Sequence, residues 1–372
     1  VPTRNIFNDS EAAAHGRTDR LQFGPWTLYL PRHLGFCGGV RRALRLLDET
    51  LKEQPHRRVW LLGEIIHNDT VNRYFREQGV RILPAARVET ALQQADANDI
   101  FVIPAFGVPR PVEQQLQAVV KTPDAIVDTT CAYVRRIWSY VEKVAGEGCT
   151  ILLHGKPDHP ETRATLSRAL TPANAVALVP DRAAAVRLCH ALRNGTIRDY
   201  DRDLLHNPAQ ATHQQLTIVN QTTMLCRETR EIETLVAAAA AAAGGRFTRA
   251  RTLCTATQQR QEAALRVCER PCDLVLIVGG FRSSNTTQLY RLARQHGPAF
   301  FINNAKALGA DRIEHYEPAL NQLRISSNWL PAGVRAIGLL AGASCPPCDI
   351  GDVIRALRRL ALARAGTESE TT

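Results

Sequence analysis

Three cysteines of this chain share one local setting. Leu34-Gly35-Phe36-Cys37-Gly38-Gly39-Val40 follows an apolar run, Trp26–Leu30, and precedes a helical periodicity from Val40 to Leu51. Ala125-Ile126-Val127-Asp128-Thr129-Thr130-Cys131 opens a helical segment at Ala132, and Arg251-Thr252-Leu253-Cys254 leads into one from Gln258. Each reads as strand, tight loop, then cysteine at a helix N-terminus. The helix dipole and the unsatisfied N–H groups there favour a thiolate. Three thiolates, one from each third of the chain, suit an iron–sulfur cluster with one iron left open. Cys149, Cys189 and Cys226 fall inside helical or extended runs, as small buried hydrophobes do. Two pairs remain, Cys268 with Cys272 and Cys345-Pro346-Pro347-Cys348.

Polar clusters follow strand-length apolar runs, where ligands bind in open parallel sheets. Glu64-Ile65-Ile66-His67-Asn68 follows Val59–Leu62, and His154 to Thr162, with His159 and Glu161, follows Thr150–Leu153. Asn220-Gln221-Thr222-Thr223 follows Leu216–Val219, Gly279-Gly280 with Ser283-Ser284-Asn285 follows Asp273–Val278, and Gly342-Ala343-Ser344 follows Ala336–Leu340. The Gly-Gly…Ser-Ser-Asn stretch is the strongest anion site, since bare backbone N–H groups, hydroxyls and a helix start can surround phosphate oxygens. Taken singly, Ser-Ser-Asn reads as an N-cap and His67 as a loop histidine. Five such loops with three helix-opening cysteines form a pattern that the single readings explain poorly.

The elements that must hold these residues alternate along the whole chain. Further strand-length runs are Ile100–Pro104, Ala125–Val127, Ala175–Val179 and Ala299–Ile302. Helical periodicity fills Val71–Gln78, Pro111–Val120, Tyr133–Ala145, Arg182–Arg193, Glu228–Ala243, Gln259–Glu269, Thr287–Gln295 and Asp349–Arg364. This predicts an α/β fold with mostly parallel sheets. Expected boundaries are an N-terminal arm over 1–25, three α/β units over 26–131, 132–250 and 251–345, and a C-terminal helix and frayed tail over 346–372. Arg193–Gln215 is polar and reads as a surface insertion; Gly244-Gly245 reads as a linker.

Composition narrows the partners. The 372 residues are 22% charged and 45% hydrophobic, an ordinary globular balance. No apolar run approaches the roughly 20 residues of a membrane span. Val1–Leu21 lacks the apolar stretch of a signal peptide, so the expected compartment is the cytoplasm, or a plastid if a transit peptide precedes Val1. Ten cysteines in that setting point to thiols rather than disulfides. The net charge is +10, yet no basic run alternates with aromatics, which total only 6%. A phosphorylated substrate or an acidic protein partner is therefore expected, and nucleic acid is not.

The motif set resembles the 4-hydroxy-3-methylbut-2-enyl diphosphate reductase family from about Leu30 to about Leu360. The residues that carry the resemblance are Gly35 to Val40, Glu64 to Asn68, Asp128 to Cys131, His159-Pro160-Glu161-Thr162, Asn220 to Leu225, Ala256 to Gln261, Val278-Gly279-Gly280 with Ser283 to Asn285, and Gly342 to Ser344. The resemblance implies three similar α/β units around a central 4Fe-4S cluster held by Cys37, Cys131 and Cys254. It implies a diphosphate pocket of His67, His159, Ser283, Ser284, Asn285 and Ser344, Thr222 beside the substrate, and Glu161 as proton donor. The implied reaction is reductive loss of an allylic hydroxyl in non-mevalonate isoprenoid synthesis, with a ferredoxin or flavodoxin as electron donor.

Some positions depart from the commonest family pattern. Pro104-Ala105-Phe106-Gly107-Val108 has Phe106 where many members have a histidine, as in the plant and cyanobacterial branch. Ala132 replaces a usual proline. Cys345 and Cys348 flank two prolines beside Ser344, as inert thiols, a redox pair, or half of a zinc site with Cys268 and Cys272. A paralogous reductive dehydratase on another substrate, or a non-catalytic iron–sulfur sensor, stays open as an alternative; the presence of Glu161 weighs against the sensor.

Overall fold

The computed structural model describes residues 6–7, 19–84, 88–94, 96, 98–120 and 122–369. All ten strands expected from the apolar runs form, within a residue or two of the expected ends. Strands and helices are numbered here along the chain.

The chain divides into two compact units. The first comprises Val1–Arg41, Ile66–Gln78 and Thr255–Thr372, and the second Arg42–Ile65 and Gly79–Cys254. The first holds a seven-stranded sheet of β1 (Arg20–Phe23), β2 (Trp26–Tyr29), β12 (Leu274–Val278), β13 (Ala299–Ile302), β14 (Arg312–Glu317), β15 (Gln322–Ser327) and β16 (Ala336–Ala341). Their spatial order is β1-β2-β16-β12-β13-β14-β15, parallel from β2 to β13 and antiparallel at both edges. β12 and β16 are buried throughout, as the unbroken apolar runs of a sheet covered on both faces must be. Helices α2 (Asp69–Glu77), α9 (Thr255–Cys268), α10 (Ser284–Arg294) and α11 (Pro347–Ser369) belong to this unit.

The second unit holds two sheets. One orders β3 (Val59–Leu62), β4 (Arg81–Leu83), β5 (Ile100–Ile103) and β6 (Ile126–Asp128) as β4-β3-β5-β6, all parallel. The other orders β7 (Thr150–His154), β8 (Ala175–Leu178), β9 (Leu205–His206), β10 (Gln215–Asn220) and β11 (Arg246–Arg249) as β11-β10-β7-β8-β9, parallel except at β9. Its helices are α3 (Val88–Gln93), α4 (Arg110–Val119), α5 (Ala132–Ala145), α6 (Pro160–Ala169), α7 (Arg182–Arg193) and α8 (Cys226–Ala242). The helix after Cys37, α1, spans Gly38–Glu53.

Several expectations need correction. Trp26–Tyr29 pairs with β16 and so joins the sheet of the expected third unit, because a parallel partner for it forms only near the C-terminus. Of the expected arm, Arg20–Phe23 is a strand and Ile6 is buried; 1–5 and 8–18 lie outside the described residues. Arg193–Gln215 is no surface insertion: Ile197, Tyr200, Leu205 and Ala211 pack into the core beside β8, and the Tyr200 hydroxyl donates to the Leu178 carbonyl at 3.0 Å. Gly244-Gly245 is a turn into β11, with Gly244 at φ +72°, which suits a helix C-terminus. Beyond Ala365, α11 continues to Ser369. An unexpected helix, α6, begins at Pro160.

Candidate functional site

Each sheet repeats one arrangement at the carboxyl ends of its strands. The three cysteines follow β2, β6 and β11 and stand immediately before α1, α5 and α9. The parallel neighbours of those strands are β16, β5 and β10, whose loops lead to Ser344, Phe106 and Thr222. The next strands along are β12, β3 and β7, leading to Ser283–Asn285, to His67, and to His159 with Glu161. This threefold topology is the physical form of the cysteine repeat in the sequence.

In the first unit, Val278 of β12 pairs with Ala341 of β16, so their loops emerge side by side. The Ser344 hydroxyl lies 3.2 Å from the Ser283 hydroxyl, and Asn285 Oδ1 accepts the Ala343 N–H at 3.0 Å. Ser283 is the N-cap of α10, accepting the Thr286 N–H at 3.3 Å. Ser283, Ser284, Asn285 and Ser344 are all buried. Ser284 Oγ and Asn285 Nδ2 have no hydrogen-bond partner among the described residues, and neither amide atom of Gln288, one turn further on, has one. Buried donors left unsatisfied at a helix N-terminus are suited to a multiply charged anion. Gly280 backs directly onto His67, where a Cβ would overlap the His67 carbonyl oxygen. The Cys37 N–H donates to the Ala343 carbonyl at 3.1 Å, which ties the first cysteine loop to the Ser344 loop.

In the second unit, Asn220 of β10 pairs with His154 of β7, and the two loops again meet. Gln221 joins them: its Oε1 accepts from the Lys156 N–H at 3.0 Å and the Thr162 hydroxyl at 3.2 Å. α6 starts with His159 as N-cap and Pro160 at its first position, where proline's missing N–H is harmless. Glu161 follows, in the first turn and buried. Its carboxylate accepts the Thr222 N–H at 2.6 Å and the Thr222 hydroxyl at 2.8 Å. Burial outweighs these two bonds and pushes the Glu161 carboxyl up to about 7, so it carries a transferable proton near neutrality. His159 Nδ1 accepts the Glu161 N–H at 3.2 Å, which places the proton of the neutral ring on Nε2. Phe106 meets the His159 ring edge-on at 5.5 Å.

All ten cysteines are thiols. Cys37 Sγ accepts the Val40 N–H at 3.4 Å at the start of α1. The Cys131 N–H donates to the Ala105 carbonyl at 3.0 Å, and Cys254 is buried. These donors fit soft iron chemistry. Among the described residues no three His, Cys, Asp or Glu side chains are grouped tightly enough to hold one ion, Cys37, Cys131 and Cys254 included. In a cluster each thiolate binds an iron of its own. Cys345 and Cys348 sit in the core, and burial pushes the Cys345 thiol well above its usual range, which makes it a packing residue. A Cβ on Gly35 would crowd Ile350 and the Cys345 carbonyl, and the φ of +72° there turns the chain toward Cys37.

The single-sequence reading missed three supporting residues, all inside or beside its motifs. Thr286 packs against Gly279 and donates to Ser283 at 2.9 Å. Gln221 bridges two loops, and Arg260 donates to the Gly35 carbonyl at 2.7 Å. A glutamine or arginine within a motif is the only trace such positioning leaves in sequence.

Comparison with known proteins identifies the family and the fold. A 4-hydroxy-3-methylbut-2-enyl diphosphate reductase from a Synechococcus strain is 37% identical over 361 residues, covering 91% of this chain and 86% of that protein. One from a Synechocystis strain is 34% identical over 350 residues, covering 90% of each. A solved structure of the (E)-4-hydroxy-3-methyl-but-2-enyl diphosphate reductase described as the terminal enzyme of the non-mevalonate pathway matches with TM-score 0.54 at 27% identity, covering 89% of this chain and 99% of that one. The Plasmodium falciparum E-1-hydroxy-2-methyl-but-2-enyl-4-diphosphate reductase shares the fold, with TM-score 0.67 at 21% identity over 88% of this chain and 86% of that one. The family model described as LytB protein matches residues 28–358, so the chain belongs to the LytB family.

Proposed function

We propose that this chain is a 4-hydroxy-3-methylbut-2-enyl diphosphate reductase, which removes the allylic hydroxyl to give isopentenyl and dimethylallyl diphosphate. Two electrons and two protons enter and water leaves. The observation that carries the reading is Glu161, a buried acid poised near neutral pH against Thr222, in a chain of this family. A 4Fe-4S cluster on Cys37, Cys131 and Cys254 supplies, when bound, Lewis acidity toward the hydroxyl and a path for single electrons.

The chain's own residues do the rest. Ser283, Ser284, Asn285, Ser344 and His67 grip the diphosphate, and His159 adds a donor from Nε2. Grip on this remote group orients the reacting carbon. Glu161 gives its proton to the departing oxygen, and the Thr222 N–H and hydroxyl, at 2.6 and 2.8 Å, stabilise the carboxylate left behind. A net charge of +10 supports an acidic ferredoxin or flavodoxin as electron donor. Among the described residues no helix is long and apolar enough to cross a membrane.

Anaerobically purified protein, supplied with reduced methyl viologen and the diphosphate, should release both products. No turnover from protein carrying its full complement of iron and sulfide would overturn the assignment.

A further inference from the structure

We propose that Arg168 is a positioning residue for the Glu161 acid, acting through a clamp made with Trp138 and the loop Phe106–Val108. This rests on the reading of Glu161 as proton donor.

Arg168 lies on α6 seven residues after Glu161, on the same buried face about two turns along. Its side chain is 4% exposed, and its guanidinium lies over the Trp138 ring, 3.6 Å from the centroid. Trp138 stands seven residues after Cys131 on α5. One cation–π contact therefore locks the acid-bearing helix to a cysteine-bearing helix, two turns below both N-termini. The indole N–H is buried without a partner among the described residues, so the ring is oriented for its face rather than its nitrogen.

The same guanidinium holds the loop after β5. Nη1 donates to the Val108 carbonyl at 3.3 Å, and Nη2 pairs with Glu113 of α4. Gly107, at φ +76°, lies so close to Trp138 that any Cβ would overlap the indole. Its N–H donates to the Pro104 carbonyl at 2.9 Å, closing the turn. Phe106 is thereby held edge-on to His159, whose Nδ1 takes the Glu161 N–H. Phe106 thus packs on the N-cap of α6. Around the Glu161 carboxyl, burial raises the proton affinity and the two Thr222 donors lower it. Dryness is then what keeps the acid protonated, and the clamp keeps that end of α6 dry.

The test follows the Glu161 carboxyl itself. The infrared C=O band of the protonated acid is titrated in purified holoenzyme, with Glu161→Gln as the blank. Arg168→Gln and Trp138→Leu should move the midpoint down by about one pH unit or more as water enters. Trp138→Phe, which keeps an aromatic face, should restore it. Alongside, kcat of Arg168→Gln should fall about tenfold at pH 7.5 and far less at pH 5.5, with KM little changed. If Arg168→Gln does not fold, Arg168→Lys, which keeps the charge and loses the fork, carries the same expectation at smaller size. A wild type with no Glu161 band near neutrality defeats the reading of the acid. A band present there and unmoved in every folded variant defeats the clamp alone.

Discussion

The loops after β12 and β16 and the loops after β7 and β10 are built alike and hold opposite chemistry. In both, two parallel neighbours end at the same level and send their loops out together. In both, a helix N-terminus follows at once, α10 after Ser283 and α6 after His159. The first pair leaves Ser284 Oγ and Asn285 Nδ2 buried and, among the described residues, without a partner. The second leaves nothing of its acid unsatisfied, since both Glu161 oxygens are occupied by Thr222. One is a set of donors awaiting an acceptor, and the other is a buried acid whose carboxylate form already has its donors in place. A parallel sheet thus supplies the meeting place, while the side chains decide whether it receives charge or delivers a proton.

The largest effect should come from breaking the proton-holding half. Glu161→Gln keeps the shape and removes the acid, so kcat should fall about 10²- to 10⁴-fold while iron content stays at the wild-type level. Turnover within a few-fold of wild type would strip Glu161 of its role.

The same residue should mark the stability of the protein. A carboxyl raised from 4.5 to about 7 binds its proton more tightly folded than unfolded. Its contribution is complete below pH 4.5 and is lost as pH rises through about 7, by roughly 3 kcal/mol. Urea unfolding between pH 5 and 8 should therefore show wild type losing stability relative to Glu161→Gln. Parallel curves would mean that the acid is solvated. The serine–asparagine half has no titrating group of this kind and should add no such slope.

Why one half was easier to read than the other follows from particular residues. Ser283-Ser284-Asn285 after a glycine pair states its chemistry locally, because the donors and the helix start are contiguous. Glu161 needed Thr222, which arrives 61 residues later through β10. No local pattern gives that pairing; only the strand order does. Pro160 also hid a helix, since a proline inside a polar stretch reads as a breaker, whereas at the first helical position it is an initiator. The apolar strands were legible because parallel strands covered on both faces have no polar alternation to confuse them. β11, Arg-Phe-Thr-Arg, is a polar edge strand and β9 an edge strand of two residues, and their pairing comes from tertiary context alone. Arg168 carries no motif: an arginine in a helix acquires meaning only when Trp138 is seen between it and the Gly107 turn.

The smallest expected effect is the sharpest test of the contrast. Ser284→Ala removes a buried hydroxyl with no partner among the described residues. Without substrate its loss should leave stability unchanged or raise it by up to about 1 kcal/mol, because an unsatisfied buried donor is itself destabilising. Thr222→Val removes a hydroxyl that is bonded at 2.8 Å, and it should destabilise the substrate-free protein by about 1 kcal/mol. With substrate the order changes. A charge-assisted hydrogen bond to a diphosphate is stronger than a neutral one, so Ser284→Ala should raise KM about tenfold with kcat nearly intact. Thr222→Val should act mainly on kcat, since its hydroxyl touches the acid. Thermal melting without substrate and steady-state kinetics with it separate the two. If Ser284→Ala destabilised the protein and left KM alone, the serine would be part of the packing and the first half would lose its reason for carrying unsatisfied donors.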